Sequence, residues 1–564
     1  MSEKVVPSGP VAHDTTVDLL VVGSGTGLSA ALSAKERGLN VLVVEKAEVV
    51  GGSTARSGGA YWIPANPALV RDGSTDTPEQ GYEYLEAVVG DSSPEPRWAN
   101  FLKYGSDAVN MLERTTPLEF FWAKGYSDYH PENPGGAAIG RTCEAKPFDA
   151  AVLGEERNRL RPGVLDAPIP MPVTGADYKW MNLMLRTPLK SWPKIFKRAA
   201  QGVGGMAVKR EYMAGGQALS AGMFAGTIKA GIPIWTRTAL KELVTDGSAV
   251  TGAVVEQDGK EVTITVRKGV VLAAGGFDHN MPMRREYQSE SLTEDVGLGA
   301  ETNTGDAIVA GEKVGADVTL MDQTWWFPAV KPLHEGEYPQ VLLAERSLPG
   351  SFMVDDSGKR FINEAEDYMT FGQDVMALRA SGRPVSDMWL VMDQTYRNRY
   401  VFAGVLFPFM PFPKEWYDLG IVVSGHSPAE LAEGMGVPVD AFVTQFNDFN
   451  ELAAAGIDGE FHRGDSAYDR YYGDPTNTPN ANLRPLSGKL HAVRVVLSDL
   501  GTCGGLKADE HGRVLNTAGE PIKGLYAMGN SAGNVFGKVY PGAGATIAQG
   551  LVYGHIIAED AATA

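Results

Sequence analysis

Cysteine is nearly missing: 564 residues carry two, Cys143 and Cys503, in unrelated surroundings. No disulfide framework and no CxxC metal site can be built from them, so a reducing, cytoplasmic setting without metal is expected. Long apolar runs are missing too. No stretch reaches about 18 consecutive apolar residues, so no membrane-spanning helix is expected. The first 14 residues are polar and lack a basic start leading into an apolar core, so no secretory signal peptide is expected either. Positive charge is in deficit, with 50 Lys and Arg against 69 Asp and Glu and a net charge of -19. That balance argues against nucleic acid as a partner, because such binding needs a basic face. Internal repeats and long low-complexity tracts are absent. The length is large for one core and points to two domains.

Glycine, by contrast, is abundant at 67 residues, which suits backbone approaching a cofactor at several points. Residues 17–22, VDLLVV, form a short apolar run of the kind buried on both faces of a parallel sheet. Gly23, Gly25 and Gly27 follow at once. Residues 28–37 then read as an Ala-rich helix, and 41–44 as a second strand ending at Glu45. This is a βαβ unit, whose glycines let a pyrophosphate reach a helix N-terminus. Glu45 stands at the spacing where an acid takes the ribose hydroxyls. The third glycine of a GxGxxG pattern would fall on Leu28, so the loop departs from the motif. A second Gly/Ser/Thr loop, Gly51 to Ala60, supplies many N–H and hydroxyl donors and suits a cofactor that stays bound. Residues 250–256 and 261–267 alternate around Asp258-Gly259, a hairpin signal. Residues 270–277 and 524–530 read as further strands running into glycine turns.

Taken together, Gly51 to Ala60, Ser127-Asp128-Tyr129, Ala273 to Phe277, Met321 to Trp326, Asn363-Glu364 with Tyr368, Ser498 to Thr502 and Tyr540-Pro541-Gly542-Ala543-Gly544 carry a resemblance. The chain resembles the flavoprotein family of fumarate reductases and 3-ketosteroid dehydrogenases, and within it the 3-ketosteroid Δ1-dehydrogenases, over nearly its full length. The resemblance implies an α/β fold: a Rossmann-like FAD-binding domain built from both chain ends, with an inserted α+β catalytic domain. The expected division is a disordered tail at 1–14, FAD domain at 15–290 and 488–564, and catalytic domain at 291–487. FAD is the implied cofactor, held without a covalent link. Its expected contacts are Gly23, Ser24, Gly25, Thr26 and Gly27, then Glu45 and Lys46, then Gly52, Ser53, Thr54, Ser57, Gly58, Gly59 and Ala60. Later come Ala274 and Gly275, Gly529 and Asn530, and Ala545, Thr546 and Ile547.

The implied reaction is 1,2-desaturation of ring A of a 3-oxosteroid, in steroid degradation. Tyr368 matches the base that takes the C2 proton, and Tyr129 the neighbour that shares or relays it. Tyr540 and the N–H of Gly544 match the donors to the C3 oxygen, and Gly544 is expected to keep a side chain from blocking the flavin. A flat apolar slot is needed as well. Of Trp325, Trp326 and Phe327, strand alternation lets only part of the run line it. The alternatives are a 3-oxo-5α-steroid 4-dehydrogenase, a fumarate reductase-like enzyme and a non-enzymatic electron carrier. The first would carry a hydroxyl where this chain has Gly542, and the second needs cations to clamp two carboxylates. The external electron acceptor is expected to be quinone-like.

One segment departs from the acidic average. Between Asp177 and Glu211 there is no acid, but there are eight bases with Trp180, Trp192 and Phe196 interleaved. Basic amphipathic segments with Trp lie on anionic lipid surfaces. Peripheral membrane contact through 178–210 is therefore one expectation; a packing face toward another subunit is the other.

Overall fold

The computed structural model describes residues 10–163, 171–334 and 336–564. The expected tail at 1–14 lies partly outside them, and its described end is docked rather than loose. Ala12 is buried and donates its N–H to Gln257, while Asp14 accepts the N–H of Thr263.

Two sheets organise the chain. The apolar strand Thr15–Val22 lies between Val41–Val44 and Lys260–Leu272, parallel to both. Its last four residues are buried, as a strand covered on both faces requires. Outside Val41–Val44 runs Ile234–Trp235, and outside Lys260–Leu272 run Pro521–Ala527 and Arg513–Leu515. The chain thus leaves Thr15–Val22 toward one edge of the sheet and later returns on the other side. That makes the end of this strand a topological switch point, where open α/β sheets hold ligands. The hairpin falls where the sequence places it. Ala249–Gln257 pairs antiparallel with Lys260–Leu272, and Asp258 and Gly259 take φ of 50° and 79° at the turn.

The second sheet has the order Gln340–Val341, Thr324–Val330, Leu490–Thr502, Met388–Asp393, Ser351–Val354, with Val422–Gly425 also on Leu490–Thr502. Leu490–Thr502 falls after 488, yet hydrogen-bonds along its length to Thr324–Val330 and Met388–Asp393. Periodicity alone cannot say which sheet receives a long buried strand.

Both chain ends close on each other. The helix Gly27–Glu36 packs against the C-terminal helix Ala545–Thr563, with Ser29 Oγ on the Leu551 carbonyl at 2.7 Å. Gly550 allows this contact, since an added Cβ would lie 2.3 Å from Thr26 Oγ1.

Candidate active site

The first loop is shaped for close backbone approach. Gly23 has φ of 110°, and an added Cβ would sit 2.2 Å from the Ala273 carbonyl oxygen. Gly27 opens the helix with no side-chain cap at Thr26, while the N–H groups of Leu28 and Ser29 donate to the Gly25 and Thr26 carbonyls. Glu45 is buried at the end of Val41–Val44 and accepts the N–H and Oγ of Ser24 and the N–H of Ala47. Thr54 Oγ1 lies where a Cβ on Gly25 would reach. Ser57 Oγ donates to the Thr54 carbonyl and accepts the Gly59 N–H, and Gly58 has open space around it. Ser53 Oγ accepts from Ala300 N and Asn303 Nδ2, a partner at 303 that the motifs did not reveal. Gly52 begins the short 3-10 turn that carries Ser53 and Thr54.

From the far end of the chain, Gly529 approaches Thr26, and Ser531 Oγ donates to the Gly275 carbonyl beside Ala274. Asn530 Oδ1 accepts from Trp325 Nε1 at 3.1 Å and Thr546 Oγ1 at 3.3 Å. Ala545 and Ile547 are buried in the first turn of the last helix. Lys46 is the exception to this convergence. Its ammonium is held by Thr304 and Asp306 at 2.7 and 2.8 Å. The donor set fits a dinucleotide: a ribose carboxylate, hydroxyls and two helix N-termini around one switch point. Gly23→Ala is expected to strip the flavin, with a much lower flavin-to-protein absorbance ratio after purification. Gly38→Ala is the control, because that glycine also has positive φ but its added Cβ meets nothing.

The tyrosines form a second centre at the edge of this cradle. Tyr368 is the first residue of the helix Tyr368–Ala380, and Asp367 caps it by accepting the N–H groups of Met369 and Thr370. Tyr129 sits in a loop tied down by Asp128, which accepts from Trp62 Nε1 and the Arg141 guanidinium. The N–H of Tyr129 donates to the Pro541 carbonyl at 3.1 Å, so the loop is fastened to the segment bearing Tyr540. The rings of Tyr129, Tyr368 and Tyr540 stand 5.2–5.3 Å apart, centroid to centroid. Trp325 packs on Tyr540 at 4.8 Å and Phe327 on Tyr368 at 4.7 Å. Trp326 points to a different core, as strand alternation demands.

Three more tyrosines join that no motif marked. Tyr468 packs on Tyr129 at 4.8 Å. Tyr126 places its hydroxyl 3.4 Å from that of Tyr129 and accepts from Tyr472 at 2.5 Å. Tyr126 is therefore a neighbour of Tyr129 in one hydroxyl chain.

Burial raises every hydroxyl here, but unequally. Desolvation pushes Tyr368 well above the ordinary tyrosine range, with Tyr540 and Tyr126 adding to it and Tyr129 opposing. Tyr129 is also pushed well up by burial and by the other tyrosines. Tyr540 is raised by burial but pulled back by Tyr368 and by the N–H groups of Gly544 and Thr546. Hydrogen bonds thus oppose burial at Tyr540, whereas burial dominates at Tyr368. A more acidic hydroxyl is the stronger hydrogen-bond donor, which suits Tyr540 to hold an oxyanion. Tyr368, harder to ionise, is the stronger base once it is ionised.

Gly544 has φ of 93° and caps the last helix. An added Cβ would lie 2.3 Å from the Ala60 carbonyl oxygen. Its lack of a side chain is thus already required by backbone packing, a reason different from the expected clearance for the flavin.

Switch-point cradle and converging acid–base hydroxyls together define a flavoprotein oxidoreductase, and its cofactor is FAD. The family model "FAD binding domain" matches residues 18–547. The 3-oxosteroid 1-dehydrogenase of Mycolicibacterium smegmatis (strain ATCC 700084 / mc(2)155) is 42% identical over 97% of this chain and 97% of its own. The crystal structure of 3-ketosteroid delta1-dehydrogenase from Sterolibacterium denitrificans, in complex with 1,4-androstadiene-3,17-dione, superposes with a TM-score of 0.92. It is 34% identical and covers 97% of this chain and 99% of that one. A 4-oxocyclohex-2-ene-1-carboxylate 5-dehydrogenase of Sinomonas cyclohexanicum is 33% identical over 97% of this chain and 93% of its own. The chain belongs to the FAD-dependent 3-oxosteroid 1-dehydrogenase family.

Proposed function

We propose that the protein desaturates the C1–C2 bond of 3-oxosteroids, within steroid breakdown. The observation that carries this is the convergence of Tyr368, Tyr129 and Tyr540 beside Gly544 at the edge of the FAD cradle. Tyr540 and the Gly544 N–H donate to the C3 oxygen. That polarises the ketone and makes the C2 hydrogen acidic. Tyr368 takes this proton, and Tyr129, backed by Tyr126 and Tyr472, shares the load. FAD, held without a covalent link by the Gly23–Gly27 loop, Glu45 and the Gly52–Ala60 loop, would supply the two-electron acceptor for the hydrogen leaving C1 as the C1–C2 double bond forms. A quinone-like acceptor then restores the oxidised cofactor. The tyrosine rings touch in this structure, so a flat ring must part them to enter. On this reading the cofactor unit comprises the first sheet and the C-terminal helix, and the substrate unit is the inserted second sheet.

Two features separate this reaction from its relatives. A Cβ on Gly542 would lie 2.2 Å from Trp62 Cδ1, so the hydroxyl that a 4-dehydrogenase carries there has no room. The surroundings are aromatic, and nearby Arg346 is spent on the carbonyls of Leu342, Glu364 and Glu366, which disfavours a small carboxylate substrate. Anaerobic loss of oxidised-flavin absorbance on adding 4-androstene-3,17-dione, with a 1,4-diene product by mass and NMR, is expected. Bleaching by 5α-androstane-3,17-dione or a 4-oxocyclohexanecarboxylate instead would overturn the assignment.

A further part of the reading is contact with lipid through 178–210, which would place a cytoplasmic enzyme beside membrane-dissolved substrate. The helix Pro188–Ala207 exposes Leu189 at 92%, Phe196 at 65% and Met206 at 61%. No helix among the described residues is long and apolar enough to cross a membrane. Much of the basic charge is used internally: Arg186 pairs with Asp474, Lys194 and Arg198 with Asp177, and Arg210 with Asp149. Apolar insertion therefore carries more of the binding than charge does. Co-sedimentation with phosphatidylserine vesicles, reduced by Phe196→Glu, is expected; no sedimentation at low salt would overturn it.

A further inference from the structure

A second polar cluster lies beyond the tyrosines, at the end of the helix Gly175–Asn182. Asn182 is 1% exposed, and beyond the adjacent Tyr178 hydroxyl neither its Nδ2 nor its Oδ1 has a hydrogen-bond partner among the described residues. Glu345 faces the same helix and is fully buried. Its Oε1 accepts from the Tyr178 hydroxyl at 3.0 Å, and its Oε2 has no partner among the described residues. Nor does a cation neutralise this carboxyl there, because the next residue, Arg346, is turned to backbone carbonyls. Burial accordingly holds Glu345 above the ordinary carboxyl range. Close in sequence, Ser347 Oγ is unpartnered as well.

Three unpaired atoms on two buried side chains are costly. Each such atom has lost its water without gaining a partner. A protein interior retains this pattern where something else supplies the partners.

The cluster lies in line with the active site. Lys179, next to Tyr178, stands 4.0 Å over the ring of Tyr471. Tyr471 stacks on Tyr126 at 4.6 Å, and the Tyr126 hydroxyl reaches that of Tyr129. Ala344, the neighbour of Glu345, belongs to the same core as Tyr129, Tyr368 and Tyr468. The polar pair is thus joined to the tyrosine hydroxyls through about two aromatic layers, Tyr471 and Tyr126.

We propose that Asn182 and Glu345 form a polar subsite for a neutral oxygen, ketone or hydroxyl, at the ring-D end of the substrate. This rests on the proposed steroid reading and adds recognition of the second end. The Asn182 amide N–H donates to a ketone at C17. Its carbonyl, or Glu345, accepts from a hydroxyl there. A substrate without that oxygen leaves the buried groups unpaired, and this penalises it.

The test compares kcat/KM for 4-androstene-3,17-dione and its 17-deoxo counterpart androst-4-en-3-one, using the FAD-loaded enzyme. The wild type is expected to favour the 17-oxo steroid by about tenfold or more, the worth of one buried hydrogen bond. Asn182→Leu, similar in shape, is expected to bring the ratio toward one by losing rate on the 17-oxo steroid. Glu345→Gln serves if the leucine variant does not fold, and is expected to change the ratio between 17-hydroxy and 17-oxo substrates. Equal use of both steroids by the wild type overturns the subsite, as trapped water on these atoms would predict. Equal losses on both steroids in the variants also overturn it, since that marks a packing role. If the wild type desaturates neither steroid, the steroid reading fails and takes the subsite with it.

Discussion

Replacing Tyr368 by phenylalanine is expected to lower kcat by roughly 10²–10⁴-fold, the usual contribution of a positioned general base, while flavin content stays unchanged. The ring would be kept, so its packing on Phe327, Tyr129 and Tyr540 survives and the loss is chemical rather than structural. The pH profile separates this role from a packing role. Burial raises the Tyr368 hydroxyl well above the ordinary tyrosine range. The active form is the deprotonated one, so below that pKa the reactive fraction grows about tenfold per pH unit. Wild-type kcat/KM is therefore expected to climb through the neutral and mildly alkaline range without levelling, and Tyr368→Phe to flatten that climb. A wild-type profile flat from neutral to pH of about 9 would remove Tyr368 as the base. Tyr129→Phe is expected to cost less, because it leaves the Tyr368 hydroxyl in place and removes only the neighbour that links the site to Tyr126 and Tyr472.

The difference between these tyrosines also shows what the sequence could and could not convey. The cofactor half was legible because its chemistry is local. Strand, glycine loop, helix and Glu45 follow within one βαβ unit, and each step has its own compositional mark. Tyr540 and Gly544 stood out because a five-residue motif carries them, and the roles given to them are proposals. Tyr468 and Tyr472 did not, since they reach Tyr129 and Tyr126 from over 300 residues away and no spacing encodes that. The same limit hid Asn303 behind Ser53 and Glu345 opposite Tyr178. Lys46 fails in the opposite direction. Its position beside Glu45 suggested the cofactor, but Asp306 and Thr304 offer its ammonium a nearer anion and hydroxyl. Strand membership fails at 490–502 because a run of buried residues fits either sheet, and only the long-range pairing decides.

Tyr540→Phe is expected to lower kcat by about 10²–10³-fold, or roughly 3–4 kcal/mol of transition-state stabilisation, as removal of one oxyanion donor does. The argument rests on the helix that follows. Gly544 caps Ala545–Thr563, and its N–H together with that of Thr546 draws the Tyr540 hydroxyl downward against burial. A helix N-terminus carries partial positive charge, so negative charge is stabilised where these groups converge. The substrate oxygen is nearly neutral before reaction and gains charge as the C2 proton leaves. The donors therefore act more strongly on the transition state than on the bound ketone, and the loss falls on kcat more than on KM. This distinguishes the two tyrosines. Without the Tyr540 hydroxyl, Tyr368 still has to ionise, so the rise of rate with pH is expected to persist at a lower level. Without the Tyr368 hydroxyl, the rise itself goes. A Tyr540→Phe enzyme whose pH dependence is lost, beside a Tyr368→Phe enzyme that keeps it, would exchange the two roles. It would make the hydroxyl at the helix N-terminus the base.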